Sequence, residues 1–326
     1  MAGPSTVLLT GAAGFIGFHV ARRLLEAGYT VVGLDNFNDF YAPALKRRNA
    51  ADLAALGGDR FRMVEGDLRD PAALAAFLPA ENRPFDLVHL AAMAGVRPSF
   101  ERPLLYQEVN VTGTFLLLEA TRRRALGHLV FGSSSSVYGA SSRLPFREDD
   151  PVADPLSPYA VTKLIGERIA HAYHACHGIP ATCLRFFTVF GPRQRPEMAI
   201  HKFARDILAG RAIPFLGDGS STRDYTYVDD IVDGVVAALA SGSGYRVFNL
   251  GGGHRITLRE MVDRLAAALG RAPRLQYAPP HPGDMTHTLA DISWAEQALG
   301  YRPSCSFEAG LERFAAWLLA GADVPT

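Results

Sequence analysis

The 326-residue sequence predicts an α/β protein: a doubly wound parallel sheet, then a smaller mixed α/β domain at the C-terminus. Up to Gly191, short strand-like runs alternate with helical stretches rich in alanine, leucine and arginine. The runs are apolar almost throughout, which marks strands covered on both faces, as parallel strands are. Beyond Gly191 the rhythm loosens, with proline and glycine recurring in "GPRQRP", "FLGDGSS" and "APPHPGD".

Taken in order, "TVLLT", "TVVGLD", "FRMVEGD", "FDLVHLAA", "HLVFGSSSS" and "ATCLRFFTVFG" read as six strands. Each is short, and β-branched or leucine-rich, and helix-forming sequence follows it, so the repeating unit is β-α-β. Shorter helices such as "LREMVDRLAAALG" and "FEAGLERFAAWLLA" belong to the C-terminal part, where Phe307, Phe314 and Trp317 are core residues. The segment "RVFNLGGG" reads as one more strand returning to the main sheet. The expected domains are therefore 1–180 with a return segment at about 225–253, and 181–326, mainly 181–224 and 254–326.

Composition excludes several classes. Lysine plus arginine equals aspartate plus glutamate at 33 each, so no global field draws the chain to nucleic acid or to an anionic membrane. No run reaches the roughly 18 apolar residues of a membrane span. Cys176, Cys183 and Cys305 lack the spacing of a disulfide framework or a zinc site, and no leader pattern precedes the first strand, which suits a cytoplasmic protein. His171, His174 and His177 recur along one helix, but no carboxylate or cysteine completes a set, so no metal is expected.

The turn "TGAAGFIG" follows the first strand and opens a helix. Glycines at 11, 14 and 17 allow a tight turn, a close backbone approach to a pyrophosphate and close helix–strand packing. The spacing is GxxGxxG, and a glycine-rich turn without a ligand would read the same. Asp35 ends the second strand, where a carboxylate accepts both ribose hydroxyls of an adenosine and repels a 2′-phosphate. No arginine follows in "NFNDFYAPALK", which favours NAD over NADP. Asp67, with Leu68, ends the third strand, where it is either a turn residue or a partner for the adenine amino group.

In "SPYAVTK", Ser157 and Pro158 suit an N-cap and first helical residue, and Tyr159 and Lys163 then share one helical face. A tyrosine that works as a base near neutrality needs its pKa lowered by about three units, or about 4 kcal/mol. One positive charge about 4 Å away contributes about that much at an effective dielectric near 20. Lys163, helped by an oxidised nicotinamide, meets the requirement.

Together with "LAAMAGVRPS", "SSSSVYG", "LRFFTVFGPRQRPEM", "GDGSSTRDYTYVDD" and "GDMTHTLADIS", these motifs make nearly the whole chain resemble the extended short-chain dehydrogenase/reductase family. Within it the likeness is to the NAD-dependent nucleotide-sugar epimerases and dehydratases. The resemblance implies a Rossmann fold with a dinucleotide site made of Gly11, Gly14, Phe15, Ile16, Gly17, Asp35, Asn36, Asp67, Leu68, Leu90, Ala91 and Ala92. It places Asn110 beneath the nicotinamide and Phe186 and Val189 at its border. It makes Tyr159 the base, Lys163 its electrostatic partner and a ribose ligand, and Ser134 a hydrogen-bonding partner of the reacting hydroxyl. Arg223 and Asp284 fall in the substrate-binding segments, Arg223 as a diphosphate ligand, and His281 stands where relatives carry a second such arginine. The helices around Leu104–Arg124 and Pro158–His177 form the contact in related homodimers, so a homodimer is implied.

The similar 4,6-dehydratases carry an Asp-Glu pair just before "VYG", and the UDP-glucuronate decarboxylases a glutamate at the second position. Ser135 and Ser136 stand there in this chain, and neither moves a proton as a carboxyl group does. The resemblance therefore implies plain 4-epimerisation of a UDP-sugar. "LDNFNDFYAPALKRRN", "AGVRPS" and "LRFFTVFGPRQRPEM" look closer to the UDP-glucuronate 4-epimerases than to the UDP-galactose enzymes. Oxidising C4 of a glucuronate creates a β-keto acid that loses CO₂ when its carboxylate is stripped of solvent. Hydroxyls of Ser135, Ser136 and Thr188, with Arg195 nearby, would keep that anion satisfied. Two other readings stay open: a UDP-glucose/UDP-galactose 4-epimerase, and a non-catalytic NAD-binding regulator, against which the intact Tyr159 and Lys163 argue.

Overall fold

The computed structural model describes residues 6–79, 83–139, 143–279 and 285–321. Seven strands make one parallel sheet: β1 (Thr6–Thr10), β2 (Thr30–Asp35), β3 (Phe61–Glu65), β4 (Phe85–His89), β5 (Leu126–Ser134), β6 (Ala181–Phe186) and β7 (Tyr245–Leu250). Their order is β7-β6-β5-β4-β1-β2-β3, so the winding reverses at β1. Register brings Thr10 level with Leu34 and His89, and Ser134 level with Phe186. The loops that follow these strands thus open on one edge, at the reversal point where doubly wound sheets bind ligands.

Alternation along each strand builds a core on both faces. Val7 and Leu9 join Val31, Val88, Val130 and Leu184 in one cluster, under α1 (Phe15–Glu26) and a later helix, Val228–Ala240. Leu8 points the other way, joining Leu34, Leu87, Leu129 and Phe131 in a second cluster. That cluster is closed by α2 (Pro71–Phe77), α3 (Gly113–Thr121) and α4 (Pro158–His177), through Leu74, Leu117 and Ile169. The first cluster continues without a break into the C-terminal residues Phe203, Phe215, Leu265, Phe307 and Phe314. The C-terminal part therefore shares a core with the sheet.

The run "ATCLRFFTVFG" is not one strand. It leaves the main sheet after Phe186: Phe187 N donates to Leu250 O at 3.0 Å, and Thr188–Phe190 pairs instead with Tyr225–Tyr227. This departure carries the chain across the edge where the loops gather.

Helix α4 starts where its sequence says it should. The Ser157 hydroxyl accepts from Ala160 N at 3.1 Å, Pro158 takes the first turn, and Gly178 ends the helix in the left-handed region at φ +69°. It lies on β5 at its one interior glycine. A Cβ at Gly166 would sit 2.2 Å from the ring of buried Phe131, so only hydrogen allows this approach. Gly166→Ala is expected to lower stability by about 2 kcal/mol through overpacking, read as a lower urea midpoint with an unchanged m-value.

Candidate active site

A cleft opens at the C-terminal edge of the sheet, and its floor is the glycine turn. Gly11 sits at φ +72°, donates from N to Leu34 O at 2.7 Å, and accepts from Gly14 N at 3.1 Å. A Cβ on Gly17 would lie 2.0 Å from Gly11 O, so α1 can start this close to β1 only with glycine there. Helix α1 has no side-chain cap and no acidic residue in its first turn. Its first N–H groups are left for an anion.

Beside this turn stand two carboxylates. Buried Asp35 accepts from Ala13 N at 3.2 Å and from Phe37 N at 2.9 Å, which holds the following loop with Phe37 at φ +48°. Burial pushes its pKa up, and the Lys46 charge and those N–H groups oppose the shift. Asp67 is clasped by Arg69 and by Asn36 Nδ2, 2.9 Å away, which hold its carboxyl at about 2. An uncapped helix start with two acceptors at successive strand ends fits a dinucleotide: pyrophosphate at the turn, ribose at Asp35.

On the other side of the cleft, α4 presents Tyr159 and Lys163. Lys163 Nζ donates to Gly132 O at 2.7 Å and lies 5.9 Å from the centre of the Tyr159 ring. The carbonyl of β5 thus holds the ammonium beside the phenol ring. Burial and the Arg195 charge bring Lys163 down to about 8, while Glu167 pulls the other way. Burial raises the Tyr159 phenol, opposed by a hydrogen bond with Ser134 and by the Arg195 charge. Ser134 Oγ also donates to Ser136 Oγ at 3.2 Å. Ser135, Ser136, Thr188 and Arg195 line the same wall, and Arg195 pairs with Glu197 at 3.2 Å and faces the Phe40 ring.

The cleft gathers Gly11, Gly14, Phe15, Ile16, Gly17, Asp35, Asn36, Asp67, Leu68, Leu90, Ala91, Ala92, Ser134, Ser135, Ser136, Tyr159, Lys163, Phe186, Thr188, Val189 and Arg195. Asn110 does not line it. Its amide is buried behind the wall, accepting from Met93 N at 2.7 Å and donating to Met93 O and to Thr162 Oγ1. It sits in a π-helical stretch, Glu108–Thr112, and fixes the 91–95 loop instead of touching the cleft. Arg223 is not among the lining residues either; it donates to Thr222 O and Thr286 O. Asp284 and His281 lie outside the described residues.

The sequence reading missed Lys46, Phe40, Tyr41 and Met93 to Val96, all in the lining. A signal for Lys46 was present. Of the 33 lysines and arginines only Lys46, Lys163 and Lys202 are lysines, and two of those three line the cleft. In a chain that otherwise uses arginine, a retained lysine marks a place where a compact ammonium is needed. Lys46 Nζ binds both Asn38 O (3.0 Å) and Asn38 Oδ1 (2.8 Å), pinning the loop that carries Phe40 and Tyr41.

Residues 7–251 match the family model described as the NAD dependent epimerase/dehydratase family. Over 96% of its length the chain is 44% identical to UDP-glucuronate 4-epimerase 3 of Arabidopsis thaliana, of which the match covers 76%. It is 40% identical to a probable UDP-glucuronate 4-epimerase of Rhizobium meliloti, covering 95% of this chain and 96% of that one. The crystal structure of UDP-glucuronic acid 4-epimerase from Bacillus cereus, in complex with UDP-glucuronic acid and NAD, is 37% identical. It superposes with a TM-score of 0.90 over 97% of this chain and 99% of that one. With this match over three quarters of its length, and with a cleft that fits the dinucleotide, the chain belongs to the NAD dependent epimerase/dehydratase family.

Proposed function

We propose that the protein is a UDP-glucuronate 4-epimerase, interconverting UDP-glucuronate and UDP-galacturonate through a transient 4-keto sugar, with NAD held in the cleft. One observation carries this reading. Tyr159, Lys163 and Ser134 converge on a wall where Ser135, Ser136 and Thr188 offer only hydroxyls. The similarity to UDP-glucuronate 4-epimerases over nearly the whole chain supports it.

Tyr159 Oη takes the proton of the sugar 4-hydroxyl, and Ser134 orients that hydroxyl. The bound nicotinamide supplies an acceptor for the C4 hydride and then returns it. Tyr159 gives the proton back after the keto sugar has presented its other face, so no net redox change remains. The Lys163 ammonium favours the phenolate and binds the ribose. Ser135, Ser136 and Thr188 donate to the 6-carboxylate with Arg195 close by, so the β-keto acid is never a bare anion. In this reading residues 1–180 and the return segment near 225–253 hold NAD, while 181–224 and 254–326, with Arg223 and Asp284, receive the UDP-sugar.

Apolar side chains left exposed on α4 and the helices beside it support a homodimer: Leu104 (75% exposed), Phe100, Phe115, Val161 and Ile165. No helix among the described residues is long and apolar enough to cross a membrane. The unpaired thiols Cys176, Cys183 and Cys305 suit the cytoplasm.

NMR of the protein with UDP-glucuronate should show UDP-galacturonate building up without CO₂ release, and Tyr159→Phe should lose about 10³-fold in kcat. Turnover of UDP-glucose but not UDP-glucuronate would replace the acid-sugar reading, and a UDP-pentose product would restore decarboxylation. The rate should fall on the alkaline side through about pH 8, where Lys163 loses its proton and the phenolate its partner. That limb is read from kcat/KM against pH. Light scattering should give twice the monomer mass, and Leu104→Glu should shift it toward the monomer.

A further inference from the structure

Two serines end β5 and two more open the 3₁₀ turn that follows, and the proposed reaction uses three of the four. The first, Ser133, points away from them. Its hydroxyl donates to Glu167 Oε1 at 2.6 Å, and Glu167 is 1% exposed. Arg185, on neighbouring β6, closes the pair from the other side, Nε to Oε1 and Nη2 to Oε2, both at 2.9 Å. The guanidinium in turn covers the Tyr138 ring at 4.8 Å. Residues 159, 163 and 167 repeat every four along one face of α4, and consecutive residues of β5 grip all three. Ser134 meets the Tyr159 phenol, the Gly132 carbonyl takes the Lys163 ammonium, and Ser133 takes the Glu167 carboxylate.

A buried ion pair contributes little net stability, because desolvation offsets the attraction, so stability alone is a weak reason for this one. Its place one turn along α4 from Lys163 gives a better one. The charged groups around Lys163 are Arg195 from the loop after the strand Thr188–Phe190, Glu167 on its own helix, and Arg185 beyond it. Buried His89 on β4 stays neutral near pH 7, and Tyr159 faces the cleft. Arg195 disfavours the ammonium, and Glu167 favours it.

We propose that Glu167 is a positioning residue for the reaction: clasped by Ser133 and Arg185, it seats α4 against the end of β5 and supplies the anion that keeps Lys163 charged. Its effect on turnover rests on the 4-epimerase reading, but its effect on Lys163 needs no substrate. With three lysines in the chain, ¹³Cε-lysine labelling of the protein as purified, NAD included, gives a spectrum simple enough to follow by pH. Lys163→Arg assigns the resonance.

Glu167→Gln should move the Lys163 midpoint down by about one pH unit, move the alkaline limb of kcat/KM with it, and lower kcat with KM for UDP-glucuronate unchanged. A Lys163 midpoint that stays put in the folded variant overturns the proposal, whatever happens to the rate. Should Glu167→Gln leave Arg185 unpaired and fail to fold, Glu167→Gln/Arg185→Gln removes both charges together. Lys163 must again titrate below the wild type, and an unmoved midpoint there overturns the proposal too. Failure of the 4-epimerase reading would show instead as wild-type protein that does not turn over UDP-glucuronate while the lysine titration still shifts.

Discussion

The seating of α4 on the end of β5 is the constraint from which the active site follows. The helix comes close enough at Gly166 to rest on the Phe131 ring, and one turn earlier that proximity drives Lys163 under the sheet edge to the Gly132 carbonyl. An ammonium so placed is held by backbone, which cannot rotate away. Tyr159, a further turn toward the N-terminus, then reaches the Ser134 hydroxyl. Ser157 caps the helix where it does because the phenol must arrive at that height.

Burial supplies the chemical tension. A phenol out of water resists losing its proton, and an ammonium out of water resists keeping one. Both residues are shifted in these directions, and Arg195 helps the phenolate while opposing the ammonium. The phenolate and the ammonium therefore stabilise each other, and a positively charged ring bound beside them would strengthen the phenolate side. Lys163 lies 5.9 Å from the ring centre, and burial lowers its own hold on a proton. Ser134 and Arg195 also favour the phenolate.

Much of this was legible in sequence, for physical reasons that differ by element. The parallel sheet showed because strands buried on both faces carry apolar residues at consecutive positions, as Val7, Leu8 and Leu9 do, and the glycine turn showed because Gly11 and Gly17 have no substitutes at their contacts. Helix α4 announced its start through Ser157 and Pro158. What stayed hidden was direction. Alternation along β5 turns Ser134 toward Tyr159 and Ser133 toward Glu167, and four identical letters cannot reveal which is which. Asn110 was found by motif, but its commitment to Met93 depends on the π-helical stretch around it. The break at Phe187 was hidden because a strand that changes sheets keeps an apolar sequence.

The shared core bears on how a keto sugar could be reduced from its other face. Either the protein opens and recloses around the ligand, or the ligand turns within a fixed cleft. Val7 and Leu9 of the sheet belong to the same apolar cluster as Phe203, Phe307 and Phe314 of the C-terminal part. A hinge between the two parts would have to pull that cluster apart, exposing apolar surface at about 25 cal/mol for each Å². The cleft wall offers the ligand an easier route. Ser135, Ser136 and Thr188 carry small hydroxyls that can donate to an anion from more than one direction. A carboxylate can exchange one of these donors for another as the ring turns, without passing through an unpaired state. In the proposed reaction the hydroxyls that would satisfy the carboxylate of the β-keto acid would thus also form the surface on which the sugar turns.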